Sequence, residues 1–450
     1  MELIKFREEL ENIITKHNNI IGDESNNLIA EYAIQSSEKM KEALQKIEQE
    51  NRLLQIGIIG RVKAGKSSLL NAMLFDGKSI LPKAATPMTA ALTVISYGDT
   101  LSTEVEFFTQ NDIKNIREEH AAYIHELKNL TQKNLEEIIK RKGQKNTDGV
   151  SISNVDVQEL REKAENQAKR DLKSKIGLSS AYDQYNKIQA SGINPATIGD
   201  KKIIVAPTLA DLSDQLLEYV GADGKYMPFT KSVHIKLPQE NLKNIQIVDT
   251  PGVNDPVQSR EERTRELLKF CDVVLIVSPS GQFLSREDME LMDRITSKEG
   301  IRELYVVASQ VDLQLFGSVK SENDGDLHRA FESITSDLAE HLHSTLSELK
   351  KSNPEIGTTY DQLIEQSKTK VIHSSGMCLS IKEKFDSKET WDEGTKKAWE
   401  NLTTHYPDYY SNTDKELSKS NLDLLANISS INIIIEEVKG KKDEILKRLK

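Results

Sequence analysis

The run IGIIGRVKAGKSSLLNAML at residues 56–74 constrains this chain more than any other stretch. An apolar, strand-like segment enters a turn holding Gly60, Gly65 and the cations Arg61, Lys63 and Lys66. It leaves as a helix with Leu69, Leu70, Met73 and Leu74 at helical spacing. The turn fits G-x-x-x-x-G-K-[ST] in the strand-then-helix context that motif requires. Its glycines let the backbone from Gly60 through Arg61, Val62, Lys63, Ala64, Gly65 and Lys66 to Ser67 and Ser68 wrap closely around phosphates, with successive N–H groups turned inward. Lys66 then reaches the β and γ phosphates of a nucleotide, and the Ser67 hydroxyl is a ligand for Mg²⁺.

The rest of the chain supplies a sheet for that turn. LLQIGIIG, TAALTVISYG, SVHIKLP, NIQIVDTPG, DVVLIVSPS, ELYVVASQVD and KVIHSSG read as strands between helical patterns, the signature of an α/β fold with a doubly wound, mostly parallel sheet. Residues 110–225 break the rhythm with long charged helical segments and read as a helical insertion. The ends are helical. Leu3, Phe6, Leu10, Ile13 and Ile14 form one stripe, and Ile431, Ile434, Ile435, Val438, Ile445 and Leu449 form another behind a cap at Ser429 or Ser430. The expected division is therefore a helical segment over 1–52, an α/β domain over 53–385 and a second helical segment over 386–450, the two ends pairing as a partial bundle.

Other strand ends say which nucleotide. Asp249 and Gly252 make a D-x-x-G turn, whose carboxylate holds Mg²⁺ and whose glycine N–H meets the γ phosphate. Thr86 and Thr89 lie in a small-residue loop ahead of a strand, suited to closing on Mg²⁺ and the γ phosphate. Ser309-Gln310-Val311-Asp312 follows another strand, and a carboxylate at Asp312 accepts from both N1–H and the N2 amine of guanine, a pair that adenine lacks. The usual form of this segment is N-K-x-D or T-K-x-D; Gln310 keeps an aliphatic stem for the base face but no charge. Ser374, Ser375 and Gly376 offer backbone contacts to the base. The ligands expected are GTP or GDP with Mg²⁺.

As a set, these residues resemble the dynamin superfamily of large GTPases, in particular bacterial dynamin-like proteins of the labile-enterotoxin-output A type. The resemblance covers residues 53–385 and rests on GRVKAGKSSLLNAML, ILPKAATPMTAALTVISYG, EYVGADGKYMPFTKSVHIKLP, and VDTPGVNDP followed by CDVVLIVSPSGQFLSREDMELM. It implies a GTPase head whose flanking helices form a neck, Thr89 as the switch threonine, self-association through the heads, companion dynamin-like chains as partners, and membrane remodelling. Val253 stands where small signalling GTPases carry a water-orienting glutamine, so water must be positioned otherwise. Lys63, Lys66 and Thr89 are the catalytic candidates, Lys63 neutralising transition-state charge from within the chain.

Bulk properties limit the partners. A net charge of -11 argues against nucleic acid. Cys271 and Cys378 match no zinc or redox spacing and read as buried apolar residues of a cytoplasmic protein. No segment approaches the length of a membrane span, and lysine-rich KGKKDEILKRLK allows peripheral contact only. A slow regulatory switch, a nucleotide-gated scaffold with negligible turnover, and an ATPase with lost base selection are the alternative readings.

Overall fold

A computed structural model describes residues 2–17, 25, 36–38, 41, 53–61, 63–75, 92–145, 154–173, 176–221, 224–249, 271–296, 303–352 and 360–440. The chain divides into two units, Met1–Leu54 with Glu437–Lys450, and Gln55–Glu436.

In the first unit, helix α1 (Glu2–Lys16) carries the expected apolar stripe, but Phe6 and Ile13 are 62% and 51% exposed. Among the described residues its polar face makes contacts. Glu11 accepts from the Ser37 backbone N–H at 2.9 Å and the Ser37 hydroxyl at 2.5 Å, and Glu8 pairs with Lys41.

Among the described residues of the second unit, one sheet of nine strands runs in the order β4-β3-β5-β2-β6-β1-β7-β8-β9. The strands are β1 (Leu54–Ile59), β2 (Leu92–Tyr97), β3 (Ser102–Phe107), β4 (Lys201–Val205), β5 (Thr230–Leu237), β6 (Ile245–Asp249), β7 (Val273–Pro279), β8 (Glu303–Ser309) and β9 (Val371–His373). β7 pairs parallel with β1 and β8, and β8 parallel with β9. β1, β7 and β8 are buried along almost their whole length, which is why they read as mainly apolar runs. The other side is mixed: β2 is parallel to β5 but antiparallel to β6, and β3 is antiparallel to both β4 and β5.

Two strands escape the sequence pattern. β3 (STEVEF) alternates in burial with two glutamates on its solvent side, and β4 (KKIIV) opens on two lysines and buries only Ile204, so neither makes a long apolar run. β4 lies within the stretch expected to be a helical insertion. That stretch holds α3 (Gln110–Lys145), α4 (Asn154–Lys173) and α5 (Ile176–Ala190), then β4 and α6 (Leu209–Val220); α2 (Lys66–Leu74) is the helix of the glycine-rich turn.

The later helices are α7 (Arg286–Thr296), α8 (Leu327–Ser352), α9 (Gly376–Glu383), α10 (Glu393–His405), α11 (Lys415–Ala426) and α12 (Ile428–Gly440). The expected boundary at 385 is corrected by their packing. Trp391, Trp399, Tyr406, Tyr410, Leu422 and Leu425 are buried in the same core as Val306, Cys378 and Phe385, so residues up to 436 belong with the sheet. Phe385 and Tyr410 meet Trp399 edge to face at 5.1 and 6.1 Å. The expected cap at Ser429 or Ser430 is also displaced. Asn427, left-handed at φ 49°, ends α11, and α12 begins at the next residue. Ile431, Ile434, Ile435 and Val438 are buried as expected, whereas Ile445 and Leu449 lie outside the described residues. Cys271 and Cys378 are buried free thiols. Among the described residues no helix is long and apolar enough to cross a membrane.

Candidate functional site

The turn after β1 is shaped by close approach. A Cβ on Gly60 would lie 2.3 Å from the Val277 carbonyl oxygen of β7, so only glycine lets the two strand ends sit side by side. Lys63 and Gly65 then adopt left-handed conformations, φ 64° and 93°, and the Ala64 N–H returns to the Arg61 carbonyl at 3.1 Å. Gly65 caps α2 without any side-chain hydrogen bond. The N-cap residue of this nine-residue helix thus offers its first N–H groups no side-chain acceptor, which leaves room for an anion.

Lys66 folds back over the turn, its Nζ donating to Gly60 O at 2.7 Å and Arg61 O at 3.2 Å. Burial lowers its pKa, while the carboxylates of Asp249 and Asp288 oppose that shift. Asp249, the last residue of β6, is half-buried as a residue, yet its Oδ1 is sealed from solvent and has no hydrogen-bond partner among the described residues. Burial pushes its pKa up to about 7 against the pull of Lys66. A sealed, unpaired carboxylate oxygen is costly unless a cation meets it, and a carboxylate oxygen is a hard donor of the kind that suits Mg²⁺.

The segment expected to read the base lies at the end of β8. Gln310 turns through φ 59° and places Asp312 in a 3-10 turn, where it is buried. Ser375 fixes the carboxylate, its hydroxyl donating to Asp312 Oδ1 at 2.5 Å while accepting from the Cys378 N–H at 3.1 Å as the N-cap of α9. Burial raises the pKa of Asp312, and the Ser375 bond opposes the rise. Ser374 is held at both ends, its N–H donating to Ala308 O at 2.9 Å and its hydroxyl to Ala426 O at 2.8 Å.

The glycine-rich turn and the Asp312 segment are joined directly. The Ser309 hydroxyl donates to Ala64 O at 2.5 Å, and Gln310 Nε2 to Lys63 O at 3.1 Å. Gly60, Arg61, Lys63, Ala64, Gly65, Lys66, Ser67, Asp249, Ser309, Gln310, Asp312, Ser374 and Ser375 are thereby gathered around the ends of β1, β6, β8 and β9. The Ser68 side chain packs on the start of α9: a Cβ on Gly376 would lie 2.9 Å from its own. Val62, Thr86, Thr89, Gly252 and Val253 lie outside the described residues.

Sequence reading missed the segment that braces this assembly. Asp288 of α7 is fully buried; its Oδ2 accepts from the Ser278 hydroxyl at 2.9 Å and from the N–H and hydroxyl of Ser285 at 3.1 and 2.9 Å. Its Oδ1 faces Arg61 Nε at 3.8 Å, and the Ser280 hydroxyl donates to Gln310 O at 3.0 Å. The spacing S-x-x-D at 285–288 announces the capping box, but nothing local announces the contact with Arg61.

Residues 56–310 match the sequence profile of the dynamin family. Dynamin-like protein 1 of Campylobacter jejuni subsp. jejuni serotype O:23/36 (strain 81-176) is 27% identical over 279 residues, 61% of this chain and 30% of that protein. Two solved structures of an oligomerised bacterial dynamin pair, described as a mechanism for long-range sensing and tethering of membranes, align over 94% of this chain and 56% of theirs. Their identities are 20% and 19% and their TM-scores 0.42 and 0.41. The chain thus spans less than a third of the length of that curated relative.

Proposed function

The chain belongs to the dynamin family, and from that premise we propose that it binds GTP with Mg²⁺ and hydrolyses it to GDP and phosphate. The observation that carries the proposal is the sealed, unpaired Asp249 Oδ1 beside Lys66 at a helix N-terminus without a side-chain cap.

In this reading the N–H groups from Gly60 to Ser67 hold the phosphates, and Lys66 exchanges its carbonyl partners for the β and γ phosphates. Ser67, Asp249 and Thr89 hold the metal, which when bound neutralises phosphate charge and orients the γ phosphate. Asp312, held by Ser375, accepts from the N1–H and N2 amine of guanine and leaves ATP with a buried, unmatched acceptor. Gly252 donates its N–H to the γ phosphate, and Lys63, exposed at the crest of the turn, stabilises charge that develops as water attacks. Each of these placements acts on a group in which charge grows, so catalysis here is positioning and electrostatics rather than covalent chemistry.

We further propose that 1–54 with 437–450 is the neck of a dynamin-type head, and that hydrolysis is coupled to self-association through heads, with companion dynamin-like chains and peripheral membrane contact in a cytoplasmic setting. The bacterial dynamin pair described as tethering membranes supports that setting by likeness of family.

The test is GTP turnover with and without Mg²⁺ across a wide range of protein concentration, with Lys66→Ala as background. A Mg²⁺-dependent specific rate that climbs with concentration is expected. Bound GTP with a flat rate at background would overturn the hydrolytic reading in favour of a nucleotide-gated scaffold.

A further inference from the structure

Two residues that are not glycine adopt left-handed conformations on facing turns of this site: Lys63 at φ 64° and Gln310 at φ 59°. Such backbones are held by their surroundings: the glycine-rich turn is held by the Gln310 segment, and Gln310 by the turn after β7. Gln310 Nε2 grips the Lys63 carbonyl at 3.1 Å, the Ser309 hydroxyl grips the next carbonyl, Ala64 O, at 2.5 Å, and the Ser280 hydroxyl holds Gln310 O at 3.0 Å. Two successive peptide planes of the glycine-rich turn are therefore pinned by the two residues that lead into Asp312.

We infer that Gln310 is a positioning residue that couples base recognition to hydrolysis: its amide sets the orientation of Lys63, so the fit of the base at Asp312 governs turnover as well as binding. The inference rests on the role given to Lys63 above. It also accounts for the departure from the usual lysine. An ammonium at residue 310, within reach of the Lys63 backbone, would place a second cation beside the Lys63 side chain; an amide makes the same donation without charge.

Gln310→Met is the incisive variant, because it keeps an apolar stem of similar length for the base face and removes the amide that donates to Lys63 O. The expected result is a loss of kcat at saturating GTP of about ten- to hundredfold, from misplacement of Lys63, with KM changed less than about twofold. Lys63→Ala should lose as much, and the double variant should be no slower than Lys63→Ala alone. A raised KM with unchanged kcat in Gln310→Met, or losses that add in the double variant, would overturn the inference while leaving the role of Lys63 intact. Unchanged kcat in Lys63→Ala would remove that role and the inference together. A readout without any variant is turnover of inosine triphosphate, which lacks the N2 amine. The coupling predicts a lower kcat than with GTP; an equal kcat with only a higher KM would refute it.

Discussion

β1, β7 and β8 run parallel and are buried along both faces, whereas at the other end of the same sheet β3 and β5 alternate between core and solvent and the edge strand β4 buries only Ile204. Every candidate site residue placed in the structure lies at the ends of β1, β6, β8 and β9 or the turns that follow them. The far strands carry none. The difference has a physical root: parallel strands need crossover helices, so their ends form a row of turns on one side of the sheet, with helix N-termini among them. Antiparallel strands return along the edge and leave a solvated face. On β3, β4 and β5 that face is a lattice of surface pairs, such as Glu104 with Lys201 at 2.6 Å and Ser232 with Glu106 at 2.7 Å.

The contrast is open to attack. The largest effect belongs to Lys66→Ala, which should lower GTP turnover by about a thousandfold or more, while calorimetry finds the fold at least as stable, since a buried cation has been removed. A coincident loss of stability would mean that the turn is structural rather than functional.

Next comes the foot of the parallel half. Glu303 and Lys370 form an ion pair at 2.7 Å with side chains 7% and 5% exposed, and Lys370 Nζ lies 3.9 Å from the centre of the Tyr305 ring. Glu303→Ala should cost about 3–5 kcal/mol by stranding a buried charge, read as a shift in denaturant midpoint. Replacing both partners with apolar residues should recover most of it.

His373 ends β9, edge-on to Phe331 at 4.3 Å, and burial lowers its pKa to about 4. Between about pH 6.5 and about 4 the unfolded chain binds a proton there that the folded chain refuses, so stability falls as pH drops through this window, by about 3 kcal/mol in all. Unfolding measured across that range should flatten in His373→Gln by about that amount.

The smallest effect is expected on the far edge, where Ile203 of β4 is 69% exposed. Ile203→Thr should change stability by no more than about 0.5 kcal/mol and leave turnover untouched. A large loss of turnover there would erase the distinction between the two ends of the sheet.

The same division governs what was legible in advance. The strands buried on both faces are apolar along most of their length, so β1, β7 and β8 stand out in the sequence; β3 and β4, with two charged residues each, do not. The boundary expected at 385 was misplaced for a related reason. Residues 386–436 are mostly polar, and the few large rings that tie them to the core, Trp391, Trp399, Tyr406 and Tyr410, reveal their partner only when folded.

The phosphate cradle, the Asp249 turn and the Asp312 segment are each contiguous, with backbone shape and side chains set within a few residues, so the sequence alone determined an α/β nucleotide site of the dynamin kind. Only the tertiary structure decided how those pieces bear on one another. The hydroxyl that fixes Asp312 comes from Ser375, 63 residues on, and the donors that pin Ala64 and Lys63 come from residues 245 and 247 positions away. A hydrogen bond across such separations leaves no periodicity or motif to read, because it depends on which strand ends the sheet brings side by side.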